Sequence, residues 1–359
     1  MKDGQLKYVL LGLMIFSFTV LKSQDPQFSQ FYNTSLYYNP ATAGITRDLR
    51  FSSSFRKQWS KIPGDLSTYF LSADYQWSKT NMGIGFLMLN DNEGLHHLRT
   101  QRVEFIYSYR IQKPDRMLQF GMSIFSLNKK DFKNNGFVFS DQLDPIYGVV
   151  QPSSFAYEAV EPKVYPDWNI GVVYRQNFIR RKITPTIGFS ASHIFRPYIS
   201  FVDNDNARLP RKYVVHANLL TQLSFSNGIF RESKVAFLNP GFVYEFQKPF
   251  QTFTAGSGFN LDPFRLGLWF RSQSFYSELY KLNSVIITAG FVLPLSSNRS
   301  LTIDYTYDST VSKLEFASGG AHEITLIYNM ALTEKEHAIR CYNEWWRDAG
   351  DFVRPTKKL

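Results

Sequence analysis

The segment Leu301-Thr302-Ile303-Asp304-Tyr305-Thr306-Tyr307-Asp308 decides the fold class of this chain. Apolar or aromatic residues alternate there with Thr and Asp at every second position. Side chains of a β-strand point to opposite faces with a period of two, so this strand has one apolar and one polar face. The same alternation recurs in 264–271, 285–293 and 323–332. Repeated strands of this kind are typical of a transmembrane antiparallel β-barrel.

The composition of the 359 residues agrees with a barrel. Hydrophobic residues make up 44% of the chain, and the mean hydropathy of −0.25 excludes a helical multi-span membrane protein. Aromatic residues make up 17%, with 33 Phe and 21 Tyr. A barrel uses such rings on its lipid face and at both membrane interfaces. A large soluble β-sandwich or propeller is the alternative.

The first 23 residues predict a secretory signal peptide. Lys2 and Lys7 precede the apolar run 8–21, and the cleavage site is expected between Ser23 and Gln24. An uncleaved anchor helix is the alternative. No other apolar segment of about 18 residues follows, so export combined with alternating strands predicts the outer membrane. The expected organisation is a signal peptide at 1–23, an N-terminal arm at 24–48, a barrel at 49–332 and a tail at 333–359.

Fourteen strands are predicted, an even number, as in bacterial barrels. They are 49–58, 66–77, 81–92, 97–111, 117–130, 166–178, 183–195, 212–226, 234–247, 250–261, 264–275, 282–293, 299–308 and 322–332. The longest connections, 131–165 and 196–211, follow odd-numbered strands. With both chain termini in the periplasm, these connections face outside and the short ones face the periplasm.

The segments flanking the barrel carry the candidate partner-binding residues. The arm lacks alternation and is interrupted by prolines, so we expect an ordered periplasmic or lumenal segment. Its aromatic residues suit an interface with a periplasmic partner, or alternatively pack inside the barrel as a plug. The tail begins with a capping box at 333–336 and predicts a short periplasmic helix to about 350, with a frayed tail as the alternative. The partner-binding candidates are Phe28, Phe31, Tyr37, Tyr38, Tyr342, Trp345 and Trp346.

The search for catalytic, metal and cofactor sites predicts none. The net charge of +10 is scattered along the chain, which favours anionic lipid heads or an acidic protein partner over nucleic acid. His96-His97 and the aspartates at 203 and 205 could be metal ligands, but neither group completes a known motif. Ser190 and His216 could meet in space, although a membrane hydrolase is the weakest hypothesis. Trp269, flanked by arginines on the same strand face, indicates a filled interior.

Several stretches, taken in order, resemble the PorP/SprF family of type IX secretion system outer-membrane proteins. The opening residues 24–31 and 38–44 resemble the start of that family. The other stretches that carry the resemblance are 137–144, 166–172, 187–193, 266–271 and 319–326. The resemblance covers roughly 24–332. Residues 342–359 extend beyond the end that the family usually has.

The resemblance implies a non-enzymatic component of the secretion and gliding machinery of Bacteroidetes. It also implies partners: a secreted adhesin-like surface protein, and periplasmic ring or peptidoglycan-linked lipoprotein components. We expect docking, with the outer loops holding the exported protein and the arm and tail contacting periplasmic machinery. The alternative is an outer-membrane transport barrel for a hydrophobic or small polar solute, argued by analogy alone.

Overall fold

A computed structural model describes residues 25–332 apart from short gaps. The gaps are 47, 65, 78–79, 95–97, 132–139, 145, 152–160, 179–181, 202–206, 226–233, 276–280, 297 and 312–317. The signal peptide predicted at 1–23 and the helix predicted at 333–350 lie outside the described residues. That helix, with Tyr342, Trp345 and Trp346, therefore has no support from the structure. No helix among the described residues is long and apolar enough to cross a membrane.

Fourteen antiparallel strands close into a barrel, as the alternation predicts. Neighbouring strands pair in sequence order, and the first strand pairs with the last, from Leu49 opposite Met330 to Gln58 opposite Ala321. The barrel strands are β1 Leu49–Gln58, β2 Ser67–Trp77, β3 Met82–Glu93, β4 Leu98–Gln112, β5 Arg116–Asp131, β8 Lys163–Pro166 with β9 Ile170–Gln176, β10 Ile183–Ser192, β11 Lys212–Phe225, β12 Lys234–Gln247, β13 Phe250–Leu261, β14 Phe264–Phe275, β15 Lys281–Ser296, β16 Arg299–Thr310 and β17 Ala321–Met330.

Each predicted strand agrees with an observed one to within three residues at either end, and two of the differences have a clear structural cause. The sixth strand is made of β8 and β9, which both pair with β5 and are separated by residues 167–169. The seventh, β10, ends at Ser192 rather than at 195, because His193 takes a positive φ of 57° and turns the chain. A positive φ cannot continue a strand. Both differences lie at the same end of the barrel.

The polar and apolar faces are arranged inside out relative to a soluble protein. In β16, Thr302, Asp304 and Thr306 are buried, whereas Tyr305 on the other face is 46% exposed. The polar face lines the lumen and the apolar face meets lipid. A transmembrane barrel requires this arrangement.

The connections give the barrel its orientation. The longest ones, 132–162 and 193–211, lie at one end of the barrel. At the opposite end the connections are short, such as 113–115, 262–263 and 297–298. Outer-membrane barrels have long extracellular loops and short periplasmic turns. We therefore call the end with the long loops the outer end and the other the periplasmic end.

Candidate functional site

The N-terminal arm, residues 25–46, occupies the lumen of the barrel. Nearly every arm residue from Phe28 to Thr46 is buried. Its only regular structure is a one-turn helix, α1 Ser35–Tyr38, followed by a 3-10 turn at Pro40–Thr42. The arm enters near the outer ends of β4 and β11 and leaves near the periplasmic end of β2. It therefore crosses the lumen from end to end.

The outer end of the arm is fixed by a buried cluster of charged groups around Asp25, which we call the Asp25 latch: Asp25, Arg102, Asp167 and His193. The Asp25 carboxylate lies 2.9 Å from Nε2 of His193 and 3.6 Å from the Arg102 guanidinium. Nδ1 of His193 lies 2.6 Å from the Asp167 carboxylate. One imidazolium thus bridges a carboxylate of the arm and a carboxylate of the wall.

Electrostatics favour the charged forms of His193 and Asp25. His193 and Asp25 both lie outside the barrel strands. Burial opposes protonation of His193, but the nearby carboxylates of Asp25 and Asp167 outweigh it and raise the pKa of His193 to about 9. Burial also opposes ionisation of Asp25, yet His193 and Arg102 hold the pKa of that carboxyl well below its usual value. The latch is therefore a charged, paired structure at neutral pH.

The next arm residues bind carboxylates on the last strands of the barrel. The backbone amides of Ser29 and Gln30 donate to the Glu323 carboxylate at 2.6 and 3.2 Å. The Ser29 hydroxyl donates to Asp308 at 2.8 Å. Arg56 lies 3.4 Å from Glu323 and 3.3 Å from Asp308, and Arg271 lies 2.7 Å from Asp308, so two guanidinium groups face the two carboxylates. Two negative charges on the wall thereby replace the backbone acceptors that this part of the arm lacks.

A second carboxylate site lies deeper in the lumen. The Asn33 amide donates to the Asp304 carboxylate at 2.7 Å, and Arg265 pairs with the same carboxylate at 3.2 Å. The Arg50 guanidinium donates to the Asn33 carbonyl at 2.7 Å. All four side chains are almost fully buried. Buried charges of this kind are tolerated only when they are paired and hydrogen-bonded.

An aromatic cluster fills the centre of the barrel. Phe31 meets Trp269 edge-on at 5.0 Å between centroids, and Tyr32 stacks on the same indole at 5.8 Å. Phe28 packs edge-on against Tyr37 at 5.3 Å, and Tyr37 against Tyr38 at 5.2 Å. Such ring pairs contribute beyond their buried area. The filled interior that Trp269 indicates in the sequence is therefore confirmed.

The four arm aromatics predicted to bind a partner face the lumen. Phe28, Phe31, Tyr37 and Tyr38 are at most 7% exposed. In this conformation they fit the alternative role, packing as a plug. Contact with a periplasmic protein would require the arm to leave the barrel.

The second half of the arm packs against glycines of the opposite wall. A Cβ atom on Gly121 of β5 would overlap the backbone of Pro40 and Ala41, and one on Gly171 of β9 would overlap the Asn39 side chain. Close backbone approach is a role that only glycine fills without a clash. Asn39 also donates to the carbonyl of Val172 at 3.2 Å. Here the arm is held by shape and amide hydrogen bonds.

The residues considered for catalysis bind the arm instead of each other. The Ser190 hydroxyl donates to the Tyr38 carbonyl at 2.5 Å, and Nε2 of His216 lies 3.1 Å from the Asn39 amide. Among the described residues, no group of three or more His, Cys, Asp or Glu side chains is arranged to hold a metal ion. His96-His97, Asp203 and Asp205 lie outside the described residues.

Part of the long outer loop is described and forms a small hairpin. Its strands are β6 Leu143–Asp144 and β7 Gly148–Val149. The Asp144 carboxylate accepts hydrogen bonds from the amides of Ile146 and Tyr147 at 2.8 and 2.9 Å, which shapes the turn. Ile146 is 83% exposed and Tyr147 is 79% exposed. This hairpin presents apolar side chains outside the barrel.

The model of the family described as "Type IX secretion system membrane protein PorP/SprF" matches residues 20–328, most of the chain. The chain belongs to the PorP/SprF family. It is an outer-membrane barrel of a secretion-system family, and that family is not a known enzyme family. None of the curated proteins matches the chain.

Several solved structures are similar to this PorP/SprF protein at low identity. The CymD monoaromatic hydrocarbon channel is 9% identical, with a TM-score of 0.43 over 83% of this chain and 91% of that one. CdiB from Acinetobacter baumannii is 9% identical, with a TM-score of 0.40 over 79% and 59%. The KdgM porin is 7% identical, with a TM-score of 0.35 over 79% and 99%. Scores this low carry no argument about function.

The Asp25 latch is the part of the site that the sequence did not predict. Its members are spread from 25 to 193, and three of them lie in connecting segments rather than on strands. The sequence does carry a signal for the partners of Ser29 and Asn33. Those partners, Asp304, Asp308 and Glu323, are charged residues on the polar faces of the last strands. Charges on a lumen-facing strand position need a partner, and the arm supplies one.

Proposed function

We propose that this PorP/SprF protein is a plugged outer-membrane barrel that docks an exported surface protein at its outer loops for the type IX machinery. The observation that carries the proposal is the occupied lumen. The arm fills the lumen with paired charges and an aromatic cluster. A barrel filled in this way is suited to present surfaces rather than to conduct solutes.

The outer hairpin supports a docking role. Leu143, Ile146, Tyr147, Val149 and Val150 are all more than half exposed. Clustered exposed apolar side chains mark interaction sites on soluble-facing surfaces. Among the described residues no further strand pairs with this hairpin, so an extended segment of an exported protein could add to one of its edges as a further strand.

The docking step can be tested on the hairpin in cells. The double substitution Ile146→Ser and Tyr147→Ser removes the two most exposed side chains and leaves the Asp144 turn in place. We expect the exported partner to be lost from the cell surface, while the barrel remains in the outer membrane at wild-type amount. Surface immunolabelling of the partner and quantification of the barrel give the two readouts.

The matched control is the double substitution Lys113→Ser and Arg116→Ser in a periplasmic turn, which also changes two exposed residues. Normal surface display in the hairpin variant would contradict docking at this loop.

The tail candidates Tyr342, Trp345 and Trp346 are proposed to face periplasmic components. Their triple replacement by Ser is expected to reduce co-purification of such components without changing the outer-loop readout.

The transport alternative is distinguished by conductance. If the barrel is a docking device, the full chain in a planar bilayer gives no discrete channel steps. A variant lacking residues 25–44, provided that it still resists unfolding in detergent, gives such steps because the water-filled bore is then open. Channel steps from the full chain at rest would favour transport instead.

A further inference from the structure

We infer that the outer rim at the β10–β11 connection binds the phosphates of a lipid headgroup in the outer leaflet. We call this surface the rim site. It consists of three exposed arginines, Arg196, Arg208 and Arg211, above an aromatic patch formed by Trp168, Phe195 and Tyr198. The inference is independent of the docking function proposed for the neighbouring hairpin.

The described residues on the two sides of 202–206 are joined by backbone hydrogen bonds. The amide of Leu209 donates to the carbonyl of Pro197 at 3.0 Å, and the amide of Ile199 donates to that of Ala207 at 3.1 Å. Nε of Arg211 donates to the carbonyl of Ile194 at 2.8 Å. The chain therefore brings cations from both sides of the connection to one stretch of the rim.

The aromatic residues place this hairpin at the edge of the membrane. Trp168 lies just before β9, two residues from the exposed, lipid-facing Ile170, and it meets Phe195 edge-on at 5.1 Å between centroids. Phe195 is 68% exposed. Amphipathic and aromatic side chains mark the interface of outer-membrane barrels. The cations just beyond such a band lie at the level of the lipid headgroups.

The described residues do not neutralise the charge of the rim site. None of the three arginines makes an ion pair with a carboxylate in the described part of the chain. By contrast, the lumenal arginines Arg265 and Arg271 pair with carboxylates at 3.2 and 2.7 Å. The guanidinium of Arg208 lies 4.2 Å above the Tyr198 ring and also donates to its hydroxyl. Stacking orients the guanidinium and leaves donors for an external anion.

A phosphorylated lipid fits this combination better than a free anion. Guanidinium groups bind phosphate oxygens with several parallel hydrogen bonds. The adjacent exposed Phe195 and Trp168 offer a surface for acyl chains, which inorganic phosphate would leave unused. Basic pockets beside membrane-spanning elements bind anionic headgroups in the same way.

Native mass spectrometry of the full chain in detergent tests the proposal, with diphosphorylated lipid A as the probe. We expect bound lipid in the wild type and loss of it in the triple variant Arg196→Gln, Arg208→Gln and Arg211→Gln. Each cation near an anionic headgroup contributes about a fivefold change in binding, so the triple variant is expected to bind on the order of 100-fold more weakly. Because Arg211 also braces Ile194, the double variant R196Q/R208Q keeps the test valid if the triple variant misfolds.

Three comparisons separate the outcomes. The control triple variant Lys113→Gln, Arg116→Gln and Arg299→Gln removes the same charge from exposed positions at the periplasmic end and is expected to bind lipid as the wild type does. Equal binding of dephosphorylated lipid A would overturn the proposal, as would unchanged binding by the rim variants. Complete displacement of the lipid by inorganic phosphate at equal concentration would show a free-anion site and overturn it as well.

Discussion

The two halves of the arm are held in the lumen by different physics. Residues 25–34 are fixed by charge: the Asp25 latch and the carboxylates of Asp308, Glu323 and Asp304. Residues 35–46 are fixed by shape, where strand glycines let the arm backbone approach the wall, and at their end by Arg110, which donates to the carbonyls of Gly44 and Ile45. Charges can be neutralised by a proton or a competing ion, whereas a steric fit cannot. We therefore expect the outer half of the plug to be the half that is released more easily.

Glu323→Ala should have the largest effect on the charge-held half. It leaves the amides of Ser29 and Gln30 without their acceptor and removes one of the two carboxylates that face Arg56. Breaking a buried pair by removing one partner costs about 3–5 kcal/mol. We expect a lower midpoint of urea unfolding in lipid vesicles, and faster hydrogen exchange at residues 28–33.

The neighbouring substitution Ile324→Ala is the control, because Ile324 lies on the lipid face and is 44% exposed. It should leave exchange in the arm unchanged. If Glu323→Ala accelerated exchange equally at 28–33 and at 39–45, the two halves of the arm would be one cooperative unit. The claim that they are held independently would then be wrong.

Titration of the Asp25 latch should change the stability of the barrel less than Glu323→Ala does. The pKa of His193 is raised from 6.5 to about 9, so its stabilisation is complete below pH 6.5 and is lost as the pH rises through about 9. This rise in the pKa of His193 corresponds to on the order of 3 kcal/mol of folding free energy. The pKa of Asp25 is lowered, so its contribution is present above pH 4 and is lost in acid.

Urea unfolding at pH 6 and pH 10 measures the latch. The wild type should be less stable at pH 10, and His193→Gln should be destabilised at pH 6 and should lose most of this difference. If the pH dependence were undiminished in His193→Gln, other groups would be responsible for the titration, and the latch would not contribute to holding the outer half of the arm.

The sequence predicts the wall of this barrel better than its contents. Alternation in segments such as 301–308 gives the strand count, because period two is a local property. The partners of Asp304 and Glu323 lie more than 270 residues away in the chain, and no local pattern specifies them. The aromatic residues Phe28 and Tyr38 were predicted to be buried anchors, but a cluster of rings does not tell whether it faces a partner or a lumen. The turn at His193 was missed because its positive φ depends on tertiary contacts.

Gly121→Ala tests the shape-held half and should have the smallest effect of the three. The added methyl group meets the backbone of Pro40 and Ala41, which cannot rotate away as a flexible side chain would. Overpacking of this kind costs typically about 1–3 kcal/mol, and we expect about 2 kcal/mol in urea unfolding, with faster exchange at 39–45 and unchanged exchange at 28–33. The adjacent Met122 faces lipid and is 48% exposed, so Met122→Ala is the control that should leave the arm unaffected. Faster exchange only at 28–33 in Gly121→Ala would mean that the charged half, not the steric fit, sets the position of the whole arm.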